Sequence, residues 1–242
     1  MLNPFWRAFC VILHHDKPSA CRLHDHLLIF MRKTKEEAQQ TRSNLLNAAL
    51  NVFYERGVSK ASLDEIAKTA GVTRGALYWH FKNKEDLFEA LFQTYYADLE
   101  QQLEQALYPD QAVDPLSLLF NSVLHHFENL VSDHDLRKFN TILYFRCEQT
   151  QDNHSIVELT RQYHRRWDQL LYNIINECKR KQILNQKLNT ERALFLLVST
   201  LTGLTAKWLD NPQAFDLLQH APAIIQICFD NLKNSPYLRD MS

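Results

Sequence analysis

The sequence predicts an all-α protein, and three observations carry that expectation. Seven prolines occur in 242 residues, yet none falls between Pro18 and Pro109 or between Pro115 and Pro212, stretches that suit long helices better than turn-rich sheets. Apolar residues recur at i, i+3, i+4 and i+7 through most of both stretches, the stripe of an amphipathic helix. Residues that cap helix N-termini, Ser62 and Asp114 among them, stand where such stripes begin.

Residues 1–30 mix Trp, Phe, Pro, Cys and His without a sustained period, and Met31 then opens MRKTKEEAQQTR, which reads as an ordinary protein start. We expect residues 1–30 to be a non-native or disordered extension, with translation beginning at Met31. Cys10, His14, His15, Cys21, His24 and His26 are potential metal ligands, but their spacing fits no zinc pattern, and no metal site is expected.

Helix one is expected over 41–56, with Leu46, Ala49, Leu50 and Phe53 on one face and Gly57 as its C-terminal stop. Ser62 heads SLDE, a capping box with Glu65, and Leu63, Ile66, Ala67 and Ala70 line one side of helix two up to Gly71. A short turn, Gly71-Val72-Thr73, leads into RGALYWHF. There Val72, Leu77 and Phe81 point inward while Arg74, Gly75, Tyr78, Trp79 and His80 face out, a helix-turn-helix by spacing and capping.

A fourth helix, about 84–105, carries a wide apolar face of Leu87, Phe88, Leu91, Phe92, Tyr95 and Leu99 and bridges to the rest of the chain. Asp114-Pro115 starts a fifth helix that ends near Asp133 and His134. A short sixth spans about 135–145, and a long one keeps Trp167, Leu170, Leu171, Ile174, Ile175 and Cys178 at helical spacing until Asn185. The last two, about 190–209 and 215–232, are apolar on more than one side. That excess predicts a homodimer interface built from both, with Gly203 permitting close approach; a thick monomer core is the alternative.

Composition narrows the function. Four glycines cannot assemble a phosphate-cradling GxGxxG or P-loop. Five scattered cysteines without a CxxC indicate neither a disulfide framework nor a zinc ribbon and fit a reducing cytoplasm. No apolar run approaches the roughly 20 residues of a membrane helix, so no membrane partner is expected. Residues 31–86 carry a net +3 against −5 on residues 87–242, a small basic segment before an acidic body, which points to a nucleic-acid partner for the former. His125, His126, Glu128 and His134 form no organised constellation, no HExxH occurs and no nucleophile stands at a recognised elbow, so an enzyme is not expected and neither is a cofactor.

The exposed side chains of the helix-turn-helix decide its use. Arg74, Tyr78, Trp79, His80, Lys82 and Lys84 offer cations and hydrogen-bond donors to phosphates, while Arg and aromatic edges reach bases. Gly75, costly by about 1 kcal/mol inside a helix, makes sense where the backbone must approach another molecule, close helix packing being the alternative. The string SLDEIAKTAGVTRGALYWHFKNKEDLF closely resembles the DNA-binding motif of the TetR family. RKTKEEAQQTR, VDPLSLL, NTILYFRCE and GLTAKWLDNPQAFDL are similar to its AcrR and TtgR branch, repressors of multidrug efflux operons. The resemblance covers Met31 to Arg239.

It implies a three-helix DNA-binding domain (31–86) whose recognition helix is Thr73 to His80, followed by a ligand-binding and dimerising domain of about six helices (87–242). Thr73 and Tyr78 match family positions near the DNA backbone and groove, Arg74 and Gly75 positions facing bases, and Trp79, His80 and Lys84 backbone contacts. Arg42 and Ser62 are added because each sits at an expected helix N-terminus, where a phosphate is favoured; capping explains Ser62 equally well. In the ligand domain Asn140 and Tyr144 match polar pocket positions, and Phe92, Tyr96, Leu119, Val123, His126, Trp167, Leu171, Val198 and Thr202 are candidates for an apolar cavity, ordinary core packing being the alternative for most. Tyr96 stands where AcrR-like sequences carry an acidic residue, which favours aromatic or planar apolar ligands over cationic ones. The implied function is a cytoplasmic homodimeric repressor of an efflux operon, holding double-stranded operator DNA until a small-molecule inducer binds. Control of other genes, activation, or a helical body that docks a protein are the alternatives.

Overall fold

A computed structural model of the chain describes residues 19–108, 114–147 and 154–240, with side chains from residue 35 onward. Of the potential metal ligands near the N-terminus, Cys10, His14 and His15 lie outside the described residues, as do the side chains of Cys21, His24 and His26. Among the described residues there are nine α-helices and no sheet. They are α1 (Ser19–Arg56), α2 (Leu63–Thr69), α3 (Arg74–His80), α4 (Lys84–Glu104), α5 (Pro115–Ser132), α6 (His134–Thr141), α7 (His154–Arg180), α8 (Thr190–Asp210) and α9 (Leu217–Asn234).

Capping set most of the starts. Ser62, Thr73, Asn83, Asp114, Asp133, Asn189 and Asp216 each accept a backbone N–H of the following first turn, satisfying one of the donors a helix start leaves open. Gly57 and Gly71 adopt φ of 80° and 69°, the left-handed turn that stops α1 and follows α2 at little steric cost. The expected helix 41–56 is the C-terminal part of a longer one that starts at Ser19, because no Gly or Pro interrupts the chain after Pro18. The sixth helix also departs from expectation: α-helical bonding stops at Thr141, and Ile142–Arg146 winds as a π-turn.

The described residues divide into two compact units, one up to residue 44 and one from residue 45 onward. In the second unit the apolar stripes meet in two clusters. One joins Leu45, Leu50 and Phe53 of α1 with Ile66, Leu77, Phe81, Leu87, Phe88 and Phe92, and also takes in Phe139, Ile142, Ile156 and Tyr163. The other holds Leu103, Leu119, Phe127, Leu130, Leu171, Ile174, Leu197, Trp208 and Ile225. Helix α4 contributes to both, its first half to the former and Leu103 to the latter. Phe139 fixes the junction, its ring 5.1 Å from those of Phe92 and Tyr95 and 6.0 Å from that of Phe88.

Against the expectation that no stretch is long and apolar enough to cross a membrane, α8 meets that test by length and composition, with a mean hydropathy of 1.2 over its best window. It packs on α7 and α9, yet only 28% of that window is buried, and Phe195 is 71% exposed. The reason is its two-sided apolarity: one side serves the core and the other stands uncovered, and Leu218, Ile224 and Ile227 of α9 are exposed too.

Candidate functional site

The helix-turn-helix is built from α2, the Gly71–Thr73 turn and α3. Leu77 and Phe81 are buried and Val72 is half-buried against the same cluster, so α3 has one permitted rotation. That rotation leaves Arg74, Gly75 and Tyr78 exposed and Trp79 74% exposed, with His80 half-buried and its ring edge-on to Trp79 at 4.6 Å. Apart from that contact with His80, the indole stands largely in solvent. A Cβ added at Gly75 would meet only Thr73 Oγ1, at 3.9 Å, so close packing inside the protein does not account for this glycine.

The other candidates on this side fare differently. Thr73 and Ser62 are occupied as N-caps, accepting from Ala76 N–H and Glu65 N–H. Arg42 is not at a helix N-terminus: it lies inside α1, where the backbone N–H groups bond within the helix, and the argument that placed it among phosphate contacts is lost. Lys84 is half-buried, and its ammonium donates to the carbonyls of Val58 (2.8 Å), Ala61 (3.2 Å) and Ser59 (3.3 Å). It ties the loop after α1 to the start of α4. Arg74 has partners that sequence reasoning missed: Nη1 donates to Asp64 Oδ2 at 3.2 Å, Nε lies 3.1 Å from Asp64 Oδ1, and Nη2 donates to the Tyr78 hydroxyl at 3.2 Å. The Tyr78 hydrogen bond, with Asp64 beside it, pushes the guanidinium pKa up, so the charge is permanent.

In the helical body, α4, α5, α6 with its π-turn, α7 and α8 enclose a cavity of about 410 Å³, a size suited to a drug-like molecule. All eleven residues singled out above line it: Phe92, Tyr96, Leu119, Val123, His126, Asn140, Tyr144, Trp167, Leu171, Val198 and Thr202. Sequence reasoning missed Leu99, Leu103, Ser122, Phe127, Leu143, His164, Asp168, Leu201 and Thr205. Most lie three or four residues from one that was named, so the helical repeat was the available signal. Tyr96 donates to Asn140 Oδ1 at 2.7 Å, and Asn140, 1% exposed, donates in turn to Leu136 O at 2.9 Å. Burial pushes the Tyr96 phenol up and lowers His126 to about 4, so both present neutral groups at pH 7. Asp168 is the one lining carboxylate, with no Lys or Arg beside it in the wall.

Among the described residues no group of His, Cys, Asp and Glu is arranged to hold a metal ion. The arrangement offers a cationic and aromatic outer face on one short helix, and a largely apolar cavity with a single lining carboxylate, Asp168, in the helical body.

Comparison with known proteins bears on both. Residues 45–91 match the family model for bacterial regulatory proteins of the tetR family, and residues 114–234 match the C-terminal region of MAATS-type transcriptional repressors. The chain is 36% identical over 211 residues to the HTH-type transcriptional regulator AcrR of Shigella flexneri, which covers 86% of this chain and 97% of that one. It is 37% identical over 209 residues to the regulator TtgR of Pseudomonas putida, covering 86% and 99%. Among solved structures it is similar to NalD, the secondary repressor of the MexAB-OprM multidrug efflux pump in Pseudomonas aeruginosa, with a TM-score of 0.68 and 29% identity over 83% of this chain and 99% of that one.

Proposed function

This chain belongs to the TetR family of bacterial regulatory proteins, and from that premise we propose that it is a transcriptional repressor of a multidrug efflux operon, released from its operator by small aromatic or planar apolar compounds. The observation that carries the reading is α3, whose buried Leu77 and Phe81 leave Arg74, Gly75, Tyr78 and Trp79 standing in solvent. Arg74 is assigned to base edges, Gly75 to close backbone approach, and Thr73, Tyr78, Trp79 and His80 to the DNA backbone and groove.

One seven-residue helix reads few bases, so specificity requires two copies on a palindrome, with half-sites about 34–36 Å apart. The uncovered side of α8 and α9 supplies the homodimer contact. Inducer enters the cavity and moves α4, which carries Phe92, Tyr96, Leu99 and Leu103 in its wall and Leu87 and Phe88 in the reading core. A ligand shifts this equilibrium only as far as it prefers the released state. A protein that reads chromosomal DNA works in the cytoplasm and needs no chemistry of its own.

The test is binding to the DNA upstream of its own gene, at fixed salt, by wild type, Arg74→Ala and Tyr78→Ala, with and without a panel of planar aromatic compounds. Tight binding that either change weakens by about 10–100-fold, and that a cavity ligand reverses, is the expected result. Binding indifferent to both substitutions removes α3 as the reading element, and binding indifferent to every cavity ligand removes the inducer.

A further inference from the structure

Asp64 stands in the first turn of α2, with its side chain 62% exposed, in two-point contact with Arg74, which is 63% exposed. Ion pairs this open to water add little to stability. A carboxylate beside a helix face that meets phosphates also repels DNA. The first turn of α2 favours an acidic side chain, which explains a carboxylate at this position but not its two-point contact with Arg74; its effect on Arg74 is what that contact adds.

Arg74 sits on a long flexible stem, and any duplex offers its guanidinium a phosphate within reach, whatever the sequence. With Asp64 in place, a phosphate contact must displace a carboxylate contact of the same kind, and the net gain is small. A guanidinium has five N–H donors, and Asp64 and Tyr78 leave some of them unengaged. Those remaining donors can reach the acceptors of a base edge without breaking the pair. Binding to matched DNA therefore keeps its Arg74 contact, while binding to unmatched DNA is denied one.

We infer that Asp64 is a specificity-determining residue: it withholds Arg74 from phosphates and presents it to base edges, lowering affinity for non-operator DNA. This deepens the repressor reading and rests on it.

The experiment compares two duplexes of equal length and composition: the tightest binder that wild-type protein selects from a random-sequence pool, and its scrambled counterpart. Wild type, Asp64→Asn, Arg74→Ala and the double variant are titrated on both across a salt series. Asp64→Asn is expected to tighten scrambled binding by about 3–10-fold and to steepen its salt dependence by roughly one counterion per protomer, with much less change on the selected duplex. In the Arg74→Ala background the same substitution is expected to change nothing beyond about twofold, because non-additivity marks the pair. Equal tightening on both duplexes, or an effect that persists without Arg74, overturns the inference by making Asp64 a bare repelling charge; so does unchanged scrambled binding. If wild type selects no duplex, the repressor reading fails and takes this inference with it. Should Asp64→Asn lower the melting temperature enough to obscure the titrations, Asp64→Ser, which suits a first helical turn, carries the same comparison.

Discussion

Arg74 and Lys84 are both cations of the reading region, and the fold puts them to opposite uses. Lys84 spends its donors on three backbone carbonyls of the loop at 58–61, whereas Arg74 keeps its guanidinium at the surface between Asp64 and Tyr78. A one-dimensional string shows two basic residues beside a motif; which of them is consumed internally depends on a loop folding back over 23–26 positions. His126 is the residue whose burial has a measurable consequence. Desolvation in the cavity wall, helped by neighbouring His125, lowers it from 6.5 to about 4. The unfolded chain therefore binds a proton that the folded one refuses over that interval. Stability is full above about pH 6.5 and falls as pH drops toward 4. Urea unfolding at pH 7 and pH 5 is expected to show wild type losing roughly 1–2 kcal/mol more per protomer than His126→Gln over that step. An equal loss in both proteins removes His126 as a buried neutral group.

At the scale of elements, helix starts were legible where a cap residue preceded an apolar stripe, as at Ser62 and Asp114, because capping is local chemistry. The cavity was legible for the same kind of reason: Phe92 and Tyr96, Leu119 and Val123, and Val198 and Thr202 are four-residue steps on helices that face one another. The π-turn at Ile142–Arg146 was not legible, since its last carbonyl has a partner far away in sequence: the Arg146 carbonyl accepts from Val58 N–H at 3.0 Å. This segment has two sides with different duties. Asn140, Leu143 and Tyr144 line the cavity, while Lys138, two residues from Asn140, donates to Asn51 Oδ1 of α1 at 2.6 Å. A ligand that displaces Asn140 or Tyr144 is therefore expected to pull on the packing of the reading helices through a second route besides the proposed one through α4. Lys138→Met keeps the apolar stem and loses the hydrogen bond to Asn51, together with an ion pair to Asp135 at 3.5 Å within α6. It is expected to leave dye binding in the cavity within about twofold while shrinking the ligand-induced loss of operator affinity by roughly 3–10-fold. An unchanged ratio of operator affinities with and without dye means that α4 alone transmits the signal.

For the molecule as a whole, the property most open to misreading is the apolarity of its last two helices. Periodicity shows that α8 and α9 have more than one apolar side, but a membrane, a thick core and a second copy all satisfy such a pattern. The fold narrows the choice: Leu197 and Ile225 are fully buried, while Phe195 is 71% and Ile227 61% exposed, so the surplus is outside the core. For the proposed reading of a palindrome, a second copy is the occupant that gives this surface a use, since covering it also fixes the distance between two α3 helices. Because both side chains lie in solvent in the single chain, replacing them by Asp creates no cavity, and the fold of each protomer is expected to survive nearly unchanged. Association should not survive: two like charges placed within a contact of the usual roughly 800 Å² per partner have no counter-charge and lose their hydration. Phe195→Asp and Ile227→Asp are therefore expected to sediment as monomers with wild-type helical circular dichroism and to bind operator at least about 100-fold more weakly, since each α3 must then find its half-site alone. A variant that stays dimeric moves the interface elsewhere. A monomer that holds the operator as tightly as wild type breaks the link between dimer geometry and specificity on which release by ligand depends.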